Sequence, residues 1–136
     1  MDIKVRYYSK SGNTEKLAMA VAAAAGCTAK TVSEPISKQT DILFLGGAIY
    51  AGKINKELRE FIVNLSADKV KKVVVFSTAA TGDSMWSQVK SLLEEKGIAV
   101  ADEFFHCRGK FLFANKNRPN DEDLNNAVAF VQKFTS

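Results

Sequence analysis

Short apolar runs of one kind alternate along the chain with longer amphipathic stretches of another. Residues Ile3–Tyr8, Ala29–Val32, Ile42–Leu45, Val73–Phe76 and Val100–Phe105 are short, rich in β-branched or aromatic side chains and bounded by Gly, Ser, Asp or Lys, which predicts five strands. Between them the apolar spacing lengthens to that of helices. Thr14–Ala25 carries Leu17, Ala20, Val21 and Ala24 on one face and stops at Gly26; Asn55–Leu65 carries Leu58, Phe61, Ile62 and Leu65. Ser84–Lys96 carries Trp86, Val89, Leu92 and Leu93 and stops at Gly97, and Glu122–Phe134 follows the helix-opening residues Pro119, Asn120 and Asp121. No repeat, low-complexity tract or linker interrupts the series, so residues 1–136 are expected to form one domain.

Strands that alternate with helices imply an α/β fold with a parallel sheet, because parallel neighbours need long, right-handed crossovers. Such sheets bind ligands beyond the carboxyl ends of their strands, so the loops that follow strands are the informative ones. One crossover is short: only Ser33–Thr40 separates the second strand from the third, too little for a helix and two loops.

Composition narrows the class. With 46% hydrophobic and 25% charged residues and only two prolines, the chain of 136 residues has the makings of an ordinary core and not of a disordered, collagenous or cysteine-stapled protein. No apolar run approaches the ~18–20 residues of a membrane span, and no signal-peptide pattern opens the chain, so a soluble, cytoplasmic protein is expected. Cys27 and Cys107 fit neither a redox nor a zinc spacing and are expected to be buried thiols; His106, the single histidine, has no Cys, His or Asp/Glu partner in a metal-ligand pattern, so a His-based metal site is not expected. A net charge of +4 is a mild excess, and no nucleic-acid recognition signature accompanies it.

The densest chemistry follows the first strand. Ser9-Lys10-Ser11-Gly12-Asn13-Thr14 leads straight into a helix and offers hydroxyls, an amide and a run of main-chain N–H groups at the positive end of a helix dipole. That combination predicts an anion site. Gly12 supplies the backbone freedom of a wrapped turn, and Asn13 tolerates the left-handed region better than most residues. A second glycine loop, Gly47 to Gly52-Lys53, begins like a nucleotide phosphate loop but continues with Ile54, which has no hydroxyl for Mg²⁺. The strand Val73–Phe76 also ends in Ser77 and not in an aspartate, so nucleotide hydrolysis is excluded.

The stretch Tyr8-Ser9-Lys10-Ser11-Gly12-Asn13-Thr14-Glu15 closely resembles the phosphate loop of flavodoxins, whose pattern after the first strand is Ser/Thr-x-Ser/Thr-Gly-Asn-Thr. Phe105-His106-Cys107-Arg108-Gly109-Lys110-Phe111 is similar to the fifth-strand exit of small flavodoxins, and the length matches the short-chain members. The resemblance implies a flavodoxin-like, doubly wound five-stranded parallel sheet of order 2-1-3-4-5, with the second helix short or absent. In that order the short crossover should cover one face of the first strand, where alternation places Lys4 and Arg6. That face is therefore expected to be thinly covered, open to water or to a partner.

The resemblance also implies FMN as cofactor. Its phosphate would be held by Ser9, Ser11, Gly12, Asn13 and Thr14, with Lys10 giving its amide. Ala48, Ile49, Tyr50, Ala51 and Gly52 correspond to the segment over one face of the flavin, with Tyr50 at the stacking position and Ala51 and Gly52 as candidates for the carbonyl that meets the flavin N5 proton. Ser77, Thr78, Ala79, Ala80, Thr81, Gly82 and Asp83 correspond to the second flavin loop, here without an aromatic residue, which leaves that face open unless Trp86 reaches back. No residue stands out as a catalytic acid, base or nucleophile. The implied role is an electron carrier for redox proteins, acting as a monomer or weak dimer; the enzymatic alternative is an FMN-dependent reductase of quinones or similar small acceptors. With pI ≈ 9.1 and Arg108, Lys110, Lys116 and Arg118 at the last strand's exit, partners with acidic docking surfaces and a less negative second reduction step than is usual in the family are expected.

Overall fold

The computed structural model describes residues 1–50, 52–79, 84–109 and 117–135. Its strands are β1 (Ile3–Tyr7), β2 (Ala29–Thr31), β3 (Thr40–Tyr50), β4 (Lys53–Ile54), β5 (Val70–Ala79), β6 (Ala99–Val100) and β7 (Phe105–Arg108). Its helices are α1 (Asn13–Ala25), α2 (Lys56–Val63), α3 (Trp86–Glu95) and α4 (Asp121–Thr135). The sheet runs β2-β1-β3-β5-β6, with β7 also on β5, and these pairings are parallel. This is the doubly wound α/β order implied by the resemblance, with β6 and β7 together filling the fifth place.

Alternation along the central strands builds two cores. Phe44 and Val74 face one side with Val5, Leu17, Val21, Phe130 and Val131, where α1 and α4 pack. Leu43, Leu45, Val73 and Val75 face the other with Leu58, Ile62, Met85, Val89 and Leu93 of α2 and α3. The central strands are apolar on both sides because both sides are covered, and each fully buried large side chain contributes about 1.5–3 kcal/mol. Glycine marks the tight places. A Cβ on Gly46 would lie 2.1 Å from the Phe76 ring, and one on Gly47 would lie 2.7 Å from Leu58 Cδ2.

The structure departs from the sequence reading in three places. The fifth strand does not run through Val100–Phe105. From Val100 to Phe105 the chain takes five steps against three on β5, from Val73 to Phe76, so two residues are extruded. Asp102, Glu103 and Phe104 in this stretch are all exposed; carboxylates have no place inside a covered sheet. The two central strands are longer than the apolar runs that predict them: β3 extends beyond Ile42–Leu45 to Thr40–Tyr50, where it turns back into the antiparallel β4, and β5 extends beyond Val73–Phe76 to Val70–Ala79.

The third correction concerns the thin face of β1. Residues 32–39 form no helix, as expected, but Arg6 meets neither water nor a partner: it is 5% exposed. Its Nε donates to the Glu34 carbonyl (2.9 Å), Nη1 to Val5 O (3.1 Å) and Nη2 to Pro35 O (3.5 Å). Burial lowers the guanidinium pKa, while the nearby Glu34 and Cys27 oppose the shift. A buried cation thus pins the irregular crossover by satisfying carbonyls that a helix would have satisfied itself.

Candidate functional site

At the carboxyl edge of β1 the chain passes from Tyr8 through Ser9, Lys10 and Ser11 to Gly12, which has φ 92° and stands at the N-cap of α1. Glycine at this cap has no side chain to offer, and no side-chain cap hydrogen bond closes this end of the helix. The turn is held from within: Gly12 N–H donates to Ser9 Oγ (3.0 Å) and Lys16 N–H to the Gly12 carbonyl (3.0 Å). Lys10 and Ser11 are exposed. The result is a bent, hydroxylated loop in front of an uncapped helix, an arrangement suited to an anion with several oxygens.

The two residues that complete the loop are tied down. Asn13 packs against Gly109, where an added Cβ would sit 2.8 Å from Asn13 Nδ2, and Gly109 N–H donates to the Ala79 carbonyl (3.0 Å). Thr14 is buried, with Oγ1 2.9 Å from Thr78 Oγ1 and 3.3 Å from the Gly47 carbonyl. In this arrangement the Thr14 side chain joins α1 to β3 and β5.

The third loop is a hairpin. Tyr50 pairs with Lys53, and Gly52 has φ 79°, a conformation that suits glycine. Gln88 of α3 clasps the turn from outside: its Nε2 donates to Gly52 O (2.8 Å) and its Oε1 accepts from Ile54 N–H (3.2 Å). Tyr50 leans on the first loop, where its Oη accepts from Lys10 N–H (3.3 Å) and Lys10 Nζ lies 5.5 Å from its ring centre. Burial raises its phenol pKa, against the Lys10 N–H bond. Of the rest of this segment, Ala48 is buried and Ile49 packs on the α2–α3 core; Ala51 lies outside the described residues.

The segment that ends β5 begins in the core. Ser77 and Thr78 are buried, at 0% and 2% exposure, and so are committed to internal bonds. Ser77 Oγ lies 2.9 Å from His106 Nδ1 and 3.3 Å from Ser84 Oγ, and Thr78 meets Thr14. Ala79 is buried, and Ala80, Thr81, Gly82 and Asp83 lie outside the described residues. Among the described residues the Trp86 ring stacks on Phe104 (5.0 Å, 21°) and its Nε1 donates to Ala101 O (3.2 Å).

The basic exit of the last strand is also less free than the sequence suggests. Arg118 forms a two-pronged pair with Asp123 at the start of α4, with Nη2 donating to Oδ1 at 2.7 Å. Burial alone would raise the Asp123 carboxyl, but the bonds from Arg118 and from Asn120 N–H hold it below the usual range. Lys110 and Lys116 lie outside the described residues.

Sequence reasoning missed Gln88, Gly109 and the Ser77–His106 pair. Nothing local marks them, since each matters through a partner distant in the chain. The apolar run of β5 and the spacing of the following helix did place the segments that carry Ser77 and Gln88.

Residues 4–118 match the model of a flavodoxin domain. An uncharacterised protein of Methanocaldococcus jannaschii is 33% identical over 135 residues, spanning 90% of this chain and 89% of its own length. A flavodoxin from the Archaea superposes with TM-score 0.75 at 18% identity, over 99% of this chain and 96% of its own. The oxidised Flavodoxin 2 of Bacillus cereus gives TM-score 0.72 at 20% identity, over 98% and 97%.

Proposed function

The chain belongs to the flavodoxin domain family, and we propose that it binds FMN at the carboxyl edge of its sheet and carries electrons between redox proteins. The observation that supports this most is the loop in front of α1: Gly12 in the left-handed region, an N-terminus without a side-chain cap, and Ser9 already oriented within the turn. A phosphate placed there would meet the hydroxyls of Ser9 and Ser11 and the main chain of Asn13 and Thr14 at the start of α1, and would take the N–H groups of Gly12 and Lys10 in exchange for their bonds to Ser9 Oγ and Tyr50 Oη. Bound FMN supplies reversible electron uptake and release at an exposed ring edge.

The chain's own part is to hold and shield. Tyr50 stands on a hairpin beside the phosphate loop, where its ring can pack on a flat ligand and exclude water. By the family resemblance, Ala48, Ile49, Ala51 and Gly52 are assigned to the same face of the flavin as Tyr50, and Ser77, Thr78, Ala79, Ala80, Thr81, Gly82 and Asp83 to the other. Within that segment the buried hydroxyls of Ser77 and Thr78 brace the backbone. Redox partners with acidic docking surfaces are proposed from the net charge of +4.

The test is a flavin titration of the purified chain followed by flavin fluorescence. Saturable quenching is expected, weakened about tenfold in Ser11→Ala by loss of a charge-assisted hydrogen bond. A colourless chain that takes up no FMN would refute the proposal. Steady turnover of NAD(P)H with a quinone by the isolated protein would replace the carrier by a reductase.

A further inference from the structure

The irregular crossover between β2 and β3 leaves a cleft of about 530 Å³ at the sheet's edge, between the ends of β1 and β2 and one face of α2. That volume lies within the range of small-molecule sites. Tyr8, Val32 and Phe61 are among its lining residues and give it apolar surface. Glu57 and Glu60, one helical turn apart and both exposed, reach it from α2. Glu15 enters from α1, where its Oε2 accepts from Tyr7 Oη (3.0 Å).

The charge in this cleft has one sign. Among the described residues no lysine, arginine or histidine lines it, although the chain as a whole carries +4. Lys56 approaches Glu60 only at 3.9 Å, with both side chains well exposed, so that contact is screened by solvent. Arg6 shares a face of β1 with Tyr8 but turns its guanidinium into the carbonyls of Val5, Glu34 and Pro35. A neutral apolar ligand would gain nothing from the carboxylates, and an anion would be repelled by them. A cation on an apolar body uses both features, its charge beside Glu57 and Glu60 and its body against Phe61, Val32 and the Tyr8 ring.

We propose that the cleft left by the missing crossover helix is a binding site for an organic cation, a protonated amine carried on a compact apolar or aromatic body, adjoining the anion loop before α1, whose Ser9 is among its lining residues.

The experiment uses amide NMR shifts of the full chain, saturated with FMN and without it, titrated with phenethylamine at neutral pH. Saturable shifts at Tyr8, Thr31 and Phe61 are expected in both samples. Phenethyl alcohol, the same body without the charge, should bind roughly three- to tenfold more weakly, as expected for screened carboxylates. The double variant Glu57→Gln/Glu60→Gln should bring the amine down to the alcohol's affinity and leave the alcohol unaffected. Absence of saturation, equal affinity for amine and alcohol, or an unaltered amine affinity in the double variant would overturn the proposal. Two other occupants would also overturn it: a lysine-rich peptide that binds the same residues more than tenfold tighter than the amine, or a concentration-dependent dimer that the double variant abolishes. Failure of FMN uptake leaves these readouts intact, because they are taken on both samples.

Discussion

At the scale of single residues, burial and a close partner shift the two thiols and Asp123 in opposite ways. Burial pushes the Cys107 thiol up to about 12, and it also raises Cys27, which is only half-buried. A raised thiol pKa means little thiolate at pH 8, and thiolate is the reactive form. Iodoacetamide should therefore label Cys27 first and Cys107 at least about a hundredfold more slowly than in the unfolded chain, as counted by mass spectrometry. Asp123 is shifted the opposite way, held below its ordinary range by Arg118 and Asn120 despite its burial. A depressed carboxyl stabilises the fold above its unfolded pKa, about 3.9, and that stability is lost as pH falls through the lower, folded value. Thermal scans should show Asp123→Asn less stable than the parent at pH 6, with the gap closing toward pH 2. A gap independent of pH would separate the helix opening from this ion pair.

Among elements, the glycines and one glutamine decide how the carboxyl edge is assembled. Gly47→Ala would push a methyl against Leu58 Cδ2 at 2.7 Å and Met85 Sδ at 3.0 Å, both flexible ends, and should cost about 1–3 kcal/mol in urea unfolding. Gly46→Ala meets the rigid Phe76 ring at 2.1 Å and should cost more. Gln88→Leu removes both bonds to the Gly52–Ile54 turn. Because Gly52 is exposed and water can replace one of them, global stability should fall by only about 1 kcal/mol. FMN affinity should drop roughly three- to tenfold, since the hairpin bearing Tyr50 would have to be ordered on binding. Equal affinities would show that the clasp does not position Tyr50. The strands, helices and first loop were legible in the sequence because their signals are local: the unbroken apolar run Val73–Phe76, the stop at Gly26, the run Ser9–Thr14. The hairpin at Gly52, the break between Val100 and Phe105 and the burial of Arg6 were not, because each depends on a neighbour across the sheet. For Arg6 the charge itself misled, since it is satisfied by three carbonyls of the chain and not by solvent.

For the whole molecule, the question is whether the anion loop works by charge or by geometry. The chain is positive overall, with Lys10 exposed in the loop itself. Yet Lys10 Nζ lies over Tyr50 at 5.5 Å, and the groups that shape the turn are neutral: Ser9 Oγ, Gly12 N–H and the first turn of α1. Neutral donors at a helix start are weakly affected by salt, whereas an exposed ammonium loses most of its pull within a Debye length, about 10 Å at 0.1 M. FMN affinity should therefore change less than about threefold between 50 and 500 mM KCl, and Lys10→Gln should leave that slope nearly flat. A ligand that binds only the folded chain also stabilises it by about 2.7 kcal/mol at a hundredfold excess over Kd, which for a domain of this size raises the melting temperature by roughly 5–15 °C. The same rise at both salt concentrations would assign the grip to the turn before α1. A rise that disappears at 500 mM KCl, or in Lys10→Gln, would assign it to the lysine, and the bend at Gly12 would then only orient what the charge had captured.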